Sequence, residues 1–293
     1  MTTALADSPL PTVASVRALR KRIADWRTAG ASIGFVPTMG ALHEGHLSLV
    51  DRARQAADRV VASIFVNPTQ FGPNEDLDAY PRPLACDARL LAERRCDLLF
   101  APPVGEIYPP GFATSISVGG VTDGLCGADR PGHFDGVATV VCKLFNQVTP
   151  DIAVFGEKDY QQLLTLKRLV RDLDMPVEII GAPIVREASG LALSSRNQYL
   201  SADQRRIAAA LSQTLRQTAK RLTGGADIAS QCAAGAAALL AAGFNSVDYL
   251  ELRDADTLEP ISALARPARL LAASRLGSTR LIDNWPVLPP DPR

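Results

Sequence analysis

The sequence is short of histidine and has no excess of either charge. Thirty-one lysines and arginines balance 31 aspartates and glutamates among 293 residues. The chain therefore has no overall basic excess that would attract nucleic acid, and we expect no nucleic-acid partner. Only three histidines occur in the chain, and two of them, His43 and His46, stand close together.

Long apolar runs and paired cysteines are also absent. The five cysteines are scattered without a Cys-x-x-Cys pair, a pattern typical of reduced thiols in a cytosolic protein. The apolar segment at residues 233–242 is too short to span a bilayer. No basic stretch followed by an apolar run marks a secretion signal near the start. We therefore expect a cytoplasmic protein without a membrane partner.

Two common nucleotide-binding patterns are missing as well, the lysine-containing P-loop and the dinucleotide motif G-x-G-x-x-G. Instead, an apolar run at residues 32–36 predicts a buried strand, and apolar residues at helical spacing after His46 predict a helix. The loop between them contains Gly40, His43, Gly45 and His46. Free backbone N–H groups, the positive end of a helix dipole and two imidazoles together predict a phosphate site.

Two other interpretations of the histidine pair are open at this point. The pair could form half of a zinc site, but no further Cys, Asp or His clusters nearby to complete a tetrahedron. The two side chains could also be solvated or capping residues without a chemical role. The glycine between the rings favours close approach of a ligand to the backbone.

Strands and helices alternate through the first two thirds of the chain. This order predicts an α/β fold, a Rossmann-like parallel sheet with helices on both faces. Ligands of such sheets bind beyond the carboxyl ends of the strands, so we expect the His43–His46 loop and the loop at Gly156–Asp159 to face one crevice. The predicted strands are 32–36, 60–66, 97–100, 152–155 and 177–180, with a candidate edge strand within 105–120. The predicted helices are 13–26, 84–95, 137–148 and one that follows Asp159 and ends at Leu173.

The pattern changes near Arg186. A loop containing serine and glycine leads to a helix cap at Ser201 and a helix from about Asp203. A second helix at 228–242 and three short strands at 246–252, 268–273 and 279–282 follow. We therefore predict two domains: 1–186 binds nucleotide and substrate, and 187–293 is a smaller C-terminal α+β domain that closes over the active site.

Several short stretches, taken in order, resemble the pantoate–β-alanine ligase (pantothenate synthetase) family. The resemblance covers nearly the whole chain, and the order and spacing of the pieces make it specific. It places the chain among the nucleotidyltransferases related to class I aminoacyl-tRNA synthetases, with His43–His46 as the HIGH-type element. The matching stretches are Val36–Gly40, His43–His46, Ser63–Phe71, Tyr80–Arg82, Arg130–Phe134, Phe155–Gln162, Gly190–Asn197, Leu250–Asp254 and Thr279–Asn284.

The resemblance implies a two-step reaction. Pantoate attacks the α-phosphate of ATP to give pantoyl adenylate and pyrophosphate, and the amine of β-alanine then displaces AMP. Such chemistry depends on positioning and electrostatic stabilisation. The family implies catalytic roles for His43, His46 as proton donor, and Lys158 beside the transferred phosphoryl group.

The resemblance also implies the binding residues. Pantoate would contact Gln70 and Gln162, and β-alanine would contact Gln70 as well. Mg²⁺ is expected to arrive on the ATP phosphates rather than on a protein metal site, and the protein is expected to be a homodimer. ATP would contact Met39, Gly40, Ala41, Leu42, His43, Glu44, Gly45, His46, Gly156, Glu157, Lys158, Asp159, Val185, Leu193, Ser194, Ser195 and Arg196.

Two positions outside this set have separate interpretations. Ser189 stands where aspartate is frequent in the family, which puts only the stability of the loop before Ser194 in doubt. Asp87 could help to place magnesium, but we favour the interpretation that it is a carboxylate on a helix surface. No matched catalytic position is missing.

Two rival functions are open. Another nucleotidyltransferase with the His-x-Gly-His loop, such as phosphopantetheine adenylyltransferase, would need a cationic acceptor site. The neutral pair Gln70 and Gln162 favours an uncharged polyol acid instead. A catalytically silent nucleotide-binding module would keep the glycines but not the imidazoles and Lys158, all of which are present.

Overall fold

Two separate β-sheets organise the part of the chain that the computed structural model describes, residues 10–73 and 75–289. One sheet has six strands, all paired in parallel, and the other has three antiparallel strands. The first contains β1 (Thr12–Val13), β2 (Ile33–Thr38), β3 (Arg59–Ile64), β4 (Leu98–Phe100), β5 (Ile152–Gly156) and β6 (Glu178–Ala182); the second contains β7 (Ser246–Asp254), β8 (Ala268–Leu276) and β9 (Thr279–Val287).

Ten α-helices connect or follow these strands within the described residues. Three 3₁₀ turns, Pro68–Gln70, Glu157–Asp159 and Ser195–Tyr199, lie at predicted site loops. The helices are α1 (Val16–Thr28), α2 (Glu44–Ala56), α3 (Leu84–Glu93), α4 (Val104–Ile107), α5 (Leu125–Asp129), α6 (His133–Val148), α7 (Tyr160–Asp172), α8 (Ala202–Ala208), α9 (Ala210–Thr223) and α10 (Ile228–Ala241).

The predicted α/β class and the antiparallel C-terminal sheet are both confirmed. The strand order β1-β4-β3-β2-β5-β6 puts β2 and β3 in the interior, where Phe35, Val36 and Val61 are fully buried. The candidate edge strand within 105–120 is wrong, because no residue of that stretch is in a strand. The edges of the sheet are β6 and the two-residue strand β1. β1 was not predicted, because two residues are too short to leave a periodic signal.

The chain forms two compact units that interleave along the sequence. The first comprises residues up to Val118, Arg130–Glu157 and Thr165–Pro183. The second comprises Gly119–Asp129, Lys158–Leu164 and the chain from Ile184 onward. The domain boundary after residue 186 remains a sequence-based prediction.

The second unit begins its helical part as predicted. Ser201 caps α8 by accepting a hydrogen bond from the backbone of Gln204, whose side chain accepts one from the backbone of Ser201 in return. This reciprocal pair satisfies two N–H groups that a helix start leaves open. The core of the unit joins α9 and α10 to the antiparallel sheet through buried side chains such as Leu215, Leu239 and Leu270. None of the helices described here is long and apolar enough to cross a membrane.

Candidate active site

The first unit places two predicted site loops at neighbouring strand ends. β2 pairs in parallel with β5, with Gly34 opposite Ile152. β3 lies on the far side of β2 and β6 on the far side of β5, so the chain order reverses between the two central strands. Open α/β sheets bind ligands at such a reversal, beyond the carboxyl ends of the strands. The loop after β2 and Gly156 at the end of β5 both leave this edge.

His43 and His46 cap the start of α2 through their ring nitrogens. His43 Nδ1 accepts a hydrogen bond from the backbone N–H of Gly45 at 3.1 Å, and His46 Nδ1 accepts one from the backbone N–H of His43 at 3.4 Å. The ring centroids are 4.1 Å apart. Because each Nδ1 accepts, the neutral form of each ring carries its proton on Nε2. Both histidines therefore cap the helix, and the cap leaves Nε2 as the nitrogen that can donate to a ligand. A chemical role for the two rings stays a prediction, because the cap alone does not decide it.

The loop before this cap is held in an uncommon conformation. Gly40 and Ala41 both have positive φ angles, 86° and 52°. Asp87 accepts hydrogen bonds from the backbone N–H groups of Ala41 and Leu42, both at 2.9 Å. A Cβ on Gly40 would lie 3.0 Å from Asp87 Oδ2, so glycine allows the loop to approach this carboxylate.

Asp87 is thus not the helix-surface carboxylate that we expected. Its side chain is 1% exposed, and burial raises its pKa while the two backbone hydrogen bonds lower it, with burial the stronger effect. The prediction failed because an aspartate in the first turn of a helix usually faces solvent and complements the dipole. Here the carboxylate positions the loop that contains Gly40 and Leu42.

Glu44 lies at the exposed start of α2. Its carboxylate forms an ion pair with Arg94 at 2.7 Å, and Arg94 also contacts Asp51 at 2.6 Å. The side chain of Glu44 is 62% exposed. The ion pair with Arg94 therefore accounts for the carboxylate of Glu44. The contact of Glu44 with ATP stays a prediction.

Gln70 is fixed between two neighbours in the first unit. Its side-chain amide donates to Met39 Sδ at 2.9 Å, and its amide oxygen accepts from Asn67 Nδ2 at 3.1 Å. Asn67, which is 1% exposed, also donates to the backbone oxygen of Gly136 and accepts from Tyr108 Oη. The structure therefore brings two predicted site residues, Met39 and Gln70, into direct contact. Asn67, which sequence analysis did not select as a site residue, holds the other end of the Gln70 amide.

α6 approaches the 3₁₀ turn Pro68–Gln70 very closely. A Cβ on Gly136 would lie 2.4 Å from the backbone oxygen of Thr69, a distance that no side chain can occupy. His133 Nδ1 donates to the backbone oxygen of Gln70 at 2.8 Å. The glycine and the histidine together set the position of the turn that contains Gln70.

Arg130 holds the same turn through the same carbonyl oxygen that His133 contacts. Its guanidinium donates to the backbone oxygen of Gln70 at 3.2 Å and to both carboxylate oxygens of Glu75, each at 2.6 Å. Burial raises the pKa of Glu75, but the hydrogen bonds and charge of Arg130 outweigh burial and hold that pKa below its usual 4.5. The stretch Arg130–Phe134 is the sequence signal that marks this cluster.

Lys158 belongs to the second unit and lies in the 3₁₀ turn after β5. Its ammonium is 3.7 Å from Asp159 Oδ1, and its side chain is 20% exposed. The backbone oxygen of Lys158 accepts a hydrogen bond from Asn284 Nδ2 at 2.9 Å. Gly156 and Glu157, the preceding predicted residues, belong to the first unit.

The predicted phosphate loop is also in the second unit. The backbone N–H of Leu193 donates to the backbone oxygen of Val185 at 2.9 Å, which brings two predicted ATP residues together. Ser194 Oγ accepts from the backbone N–H of Arg196 at 3.3 Å and so caps the 3₁₀ turn that contains Ser195. The serine hydroxyl is therefore a local cap as well as a candidate ligand.

Ser189, at the position where aspartate is frequent in the family, makes a hydrogen bond within the loop before Ser194. Its hydroxyl oxygen accepts a hydrogen bond from the backbone N–H of Leu191 at 3.4 Å. Asn197, which is 4% exposed, donates to the backbone oxygen of Ala192 at 3.0 Å. These hydrogen bonds between residues of the loop stabilise its conformation before and after Ser194.

Gln162 and its neighbour Gln161 differ in environment. Gln161 is 5% exposed; its amide oxygen accepts from the backbone N–H of Cys126, and its amide nitrogen donates to the backbone oxygens of Val121 and Gly124. Gln161 thus ties α7 to residues 119–129. Gln162, the predicted pantoate contact, is half-buried.

The predicted residues form two sets, one in each unit. The first unit brings together the β2–α2 loop, Met39 and Gln70, and the second contains Lys158, Gln162 and the loop around Ser194. A single crevice that holds both sets stays a prediction. Among the residues that the structure describes, no three His, Cys, Asp or Glu side chains gather as a metal-binding group.

Nearly the whole chain is similar to known proteins. The model of the pantoate-beta-alanine ligase family matches residues 11–286. Pantothenate synthetase from Rhodospirillum rubrum is 60% identical over 276 residues, which cover 94% of this chain and 98% of that protein. Pantothenate synthetase from Paramagnetospirillum magneticum is 59% identical over 277 residues, with the same two coverages.

Solved structures agree with the sequence relatives. Pantothenate synthetase from Thermus thermophilus aligns with a TM-score of 0.91 at 50% identity, over 96% of this chain and 100% of that one. Pantoate-beta-alanine ligase from Francisella tularensis, solved in complex with β-γ ATP and β-alanine, aligns with a TM-score of 0.79 at 35% identity, over 94% and 97% of the two chains. The chain belongs to the pantoate–β-alanine ligase family.

Proposed function

We propose how this chain carries out the reaction of its family, the ATP-dependent condensation of pantoate with β-alanine to give pantothenate. The carrying observation is the family match across residues 11–286, which spans every predicted site residue. The reaction runs in two steps through pantoyl adenylate, with pyrophosphate leaving in the first and AMP in the second. The alternative, phosphopantetheine adenylyltransferase, has no support from these relatives.

In the first unit, the two imidazoles act on the phosphates of ATP. Their Nδ1 atoms are used by the helix cap, so Nε2–H is the donor that each neutral ring offers. We assign proton donation to His46 and phosphate binding to His43. A positioned acid of this kind contributes about 10²–10⁴-fold to a rate.

Gln70 binds pantoate and then β-alanine in this proposal. A neutral amide can hold hydroxyl and carboxylate groups without neutralising the attacking carboxylate. Its fixed position between Asn67 and Met39 supports this role, because a preorganised group loses little entropy when the substrate binds. Gln162 supplies a second pantoate contact.

In the second unit, Lys158 stabilises charge on the transferred phosphoryl group. Ser194, Ser195 and Arg196 bind the β- and γ-phosphates, where a guanidinium fork suits phosphate oxygens. We assign the adenosine contacts to the backbone of Met39–Leu42 and Gly156 in the first unit and of Val185 in the second. Leu193 is a further ATP contact. Catalysis then consists of positioning and charge stabilisation rather than covalent chemistry by the protein.

The remaining assignments concern the setting of the reaction. Magnesium enters with ATP as part of the substrate, bound by the phosphate oxygens. We place the protein in the cytoplasm, which its five free thiols support, and we propose that it works as a homodimer. The relative from Francisella tularensis, solved with β-γ ATP and β-alanine, supports the choice of substrates.

The test is an ATP–pyrophosphate exchange assay on the purified chain. Exchange should require pantoate and should proceed without β-alanine, because adenylation is complete before the amine reacts. Addition of β-alanine should then release AMP and pantothenate. Exchange that phosphopantetheine supports equally well, or no exchange with pantoate, would contradict the proposal.

A further inference from the structure

Two adjacent residues of β9, Asp283 and Asn284, stand at the end of a family-like stretch that the proposed chemistry leaves unused. Both residues are buried, with 3% and 2% of the residue surface exposed. A polar pair buried this deeply must have its hydrogen-bonding groups satisfied by partners in the protein. Their partners lie on the two loops of the second unit that carry the proposed phosphate ligands.

Asn284 connects β9 to Lys158. Its Nδ2 donates to the backbone oxygen of Lys158 at 2.9 Å, and its Oδ1 accepts from Arg269 Nε at 2.6 Å. The guanidinium of Arg269 lies 4.2 Å from the ring centre of Tyr160. Since one end of the amide binds Arg269 and the other binds Lys158, rotation of the amide would break both hydrogen bonds.

Asp283 connects β9 to the other loop. Its two oxygens accept from the two terminal nitrogens of Arg186, at 2.6 and 2.9 Å. Arg186 Nη1 also donates to the backbone oxygen of Gly190 at 3.1 Å. The side chain of Asp283 is 2% exposed and that of Arg186 is 19% exposed. This two-point ion pair fixes the turn that leads to Ser194.

We propose that Asp283 and Asn284 are positioning residues for adenylation. They fix the backbone of the Lys158 turn and the backbone of the Ser194–Arg196 loop relative to each other, because both contacts come from adjacent residues of β9. The inference rests on the proposed function of those loops. Asn284 binds the backbone oxygen of Lys158 rather than its ammonium. The hydrogen bond therefore fixes the backbone of Lys158 and leaves the side chain able to change rotamer. A misplacement of about 1 Å at a reacting centre can cost about 10²-fold in rate.

The first test is Asn284→Asp. A carboxylate keeps the acceptor for Arg269 but cannot donate to the backbone oxygen of Lys158, which it would repel. We expect the pantoate-dependent exchange rate to fall by about 10²-fold while the KM for pantoate stays near the wild-type value. Asn245→Asp is the matched control in the same unit, since the Asn245 amide oxygen accepts from the backbone N–H of Gly277, and a carboxylate preserves that contact.

A double-mutant cycle separates positioning from general stability. If Asn284 acts through Lys158, Asn284→Asp should cost little more once Lys158→Ala is present. Full additivity of the two losses, or a normal exchange rate in Asn284→Asp, would overturn the inference. If Asn284→Asp does not fold, Arg269→Lys replaces it in the cycle, because it removes the contact that orients the amide and leaves Asn284 in place.

The second arm tests Asp283 through Arg186→Lys, which keeps the charge but cannot reproduce the two-point pair. Arg186→Lys alone should lower the exchange rate. In a chain that already carries Arg196→Ala, the same change should lower the rate little further. Additive losses would overturn this arm. The wild-type assay distinguishes the two levels of proposal. Failure of wild-type exchange would contradict the proposed function itself, whereas normal wild-type exchange with unaffected variants would contradict only the positioning role.

Discussion

Lys158 is the single residue on which adenylation should depend most. It is the one lysine in the proposed phosphate-binding set, and its side chain is only 20% exposed. Lys158→Ala removes the charge that we propose stabilises the transition state, so we expect pantoate-dependent exchange to fall by about 10²–10³-fold. The thermal unfolding midpoint should stay close to that of the wild type, because the ion pair of this side chain with Asp159 is long and weak.

Lys167→Ala serves as the control for that measurement, since Lys167 is an exposed lysine on α7. It should leave the exchange rate unchanged. A wild-type exchange rate in Lys158→Ala would remove Lys158 from the proposed mechanism.

Single residues also show where sequence analysis reaches its limit. The histidine pair was found because two rings, a glycine and a helix start fall within a few positions of one another. Asp87 was misjudged because its partners, Ala41 and Leu42, lie 46 and 45 residues away in sequence. No local pattern distinguishes a helix aspartate that faces solvent from one that receives two backbone N–H groups of a distant loop.

At the level of elements, the contact between α6 and the 3₁₀ turn Pro68–Gln70 should be the most sensitive to a small change. Gly136→Ala introduces a methyl group where only 2.4 Å separates it from the backbone oxygen of Thr69. The turn must move, and Gln70 moves with it. We expect the KM for pantoate in the exchange assay to rise by about tenfold or more, with a smaller effect on the KM for ATP.

Gly105→Ala provides the comparison, because a Cβ at Gly105 meets nothing within 4 Å and the residue lies in the short helix α4. Its kinetic constants should match those of the wild type. Equal effects on pantoate and ATP in Gly136→Ala would indicate a general loss of folding rather than displacement of Gln70.

Element types were largely predictable, while their ends were not. β2, β3 and β5 carry continuous apolar runs, and these runs are enough to identify strands buried on both faces. The helix expected from Asp203 is in fact two helices, α8 and α9, which separate at Ala209. Both sides of that break are rich in helix-forming residues, so propensity alone does not mark it.

At the scale of the whole molecule, acid should weaken the fold partly through Glu75. Its folded-state pKa is held below the usual value by Arg130, so this carboxylate stabilises the folded chain above the unfolded pKa of about 4.3. The contribution is lost as the pH falls through the lower, folded pKa. Glu75→Gln should therefore reduce the free energy of unfolding by about 1 kcal/mol at neutral pH.

The difference between Glu75→Gln and the wild type should shrink as the pH falls below the unfolded pKa and through the lower folded pKa, because the wild-type carboxylate then becomes protonated too. Urea unfolding at a series of pH values measures it. Glu93→Gln, a change at an exposed glutamate, is the matched control and should leave the free energy of unfolding at neutral pH close to that of the wild type. A gap that stays constant with pH would contradict the assigned ion pair.

The general architecture followed from the order of strands and helices, but the division of the chain did not. Residues 119–129 join the second unit because Gln161 binds their backbone at three points. The sequence does not distinguish a helix glutamine that forms hydrogen bonds with backbone groups some 40 residues away from one that faces solvent. Its neighbour Gln162 attracted attention through the family resemblance alone.

This interleaving makes the C-terminal part a poor candidate for modular exchange. A fragment that starts at residue 187 would leave behind Gly119–Asp129 and Lys158–Leu164, which belong to the same unit. Asn284 would then face no Lys158 carbonyl, and a buried amide would lose its acceptor at a cost of about 1–3 kcal/mol. A chimera between relatives must therefore exchange all three stretches together. Otherwise the proposed phosphate-binding loop would pack against residues from a different protein.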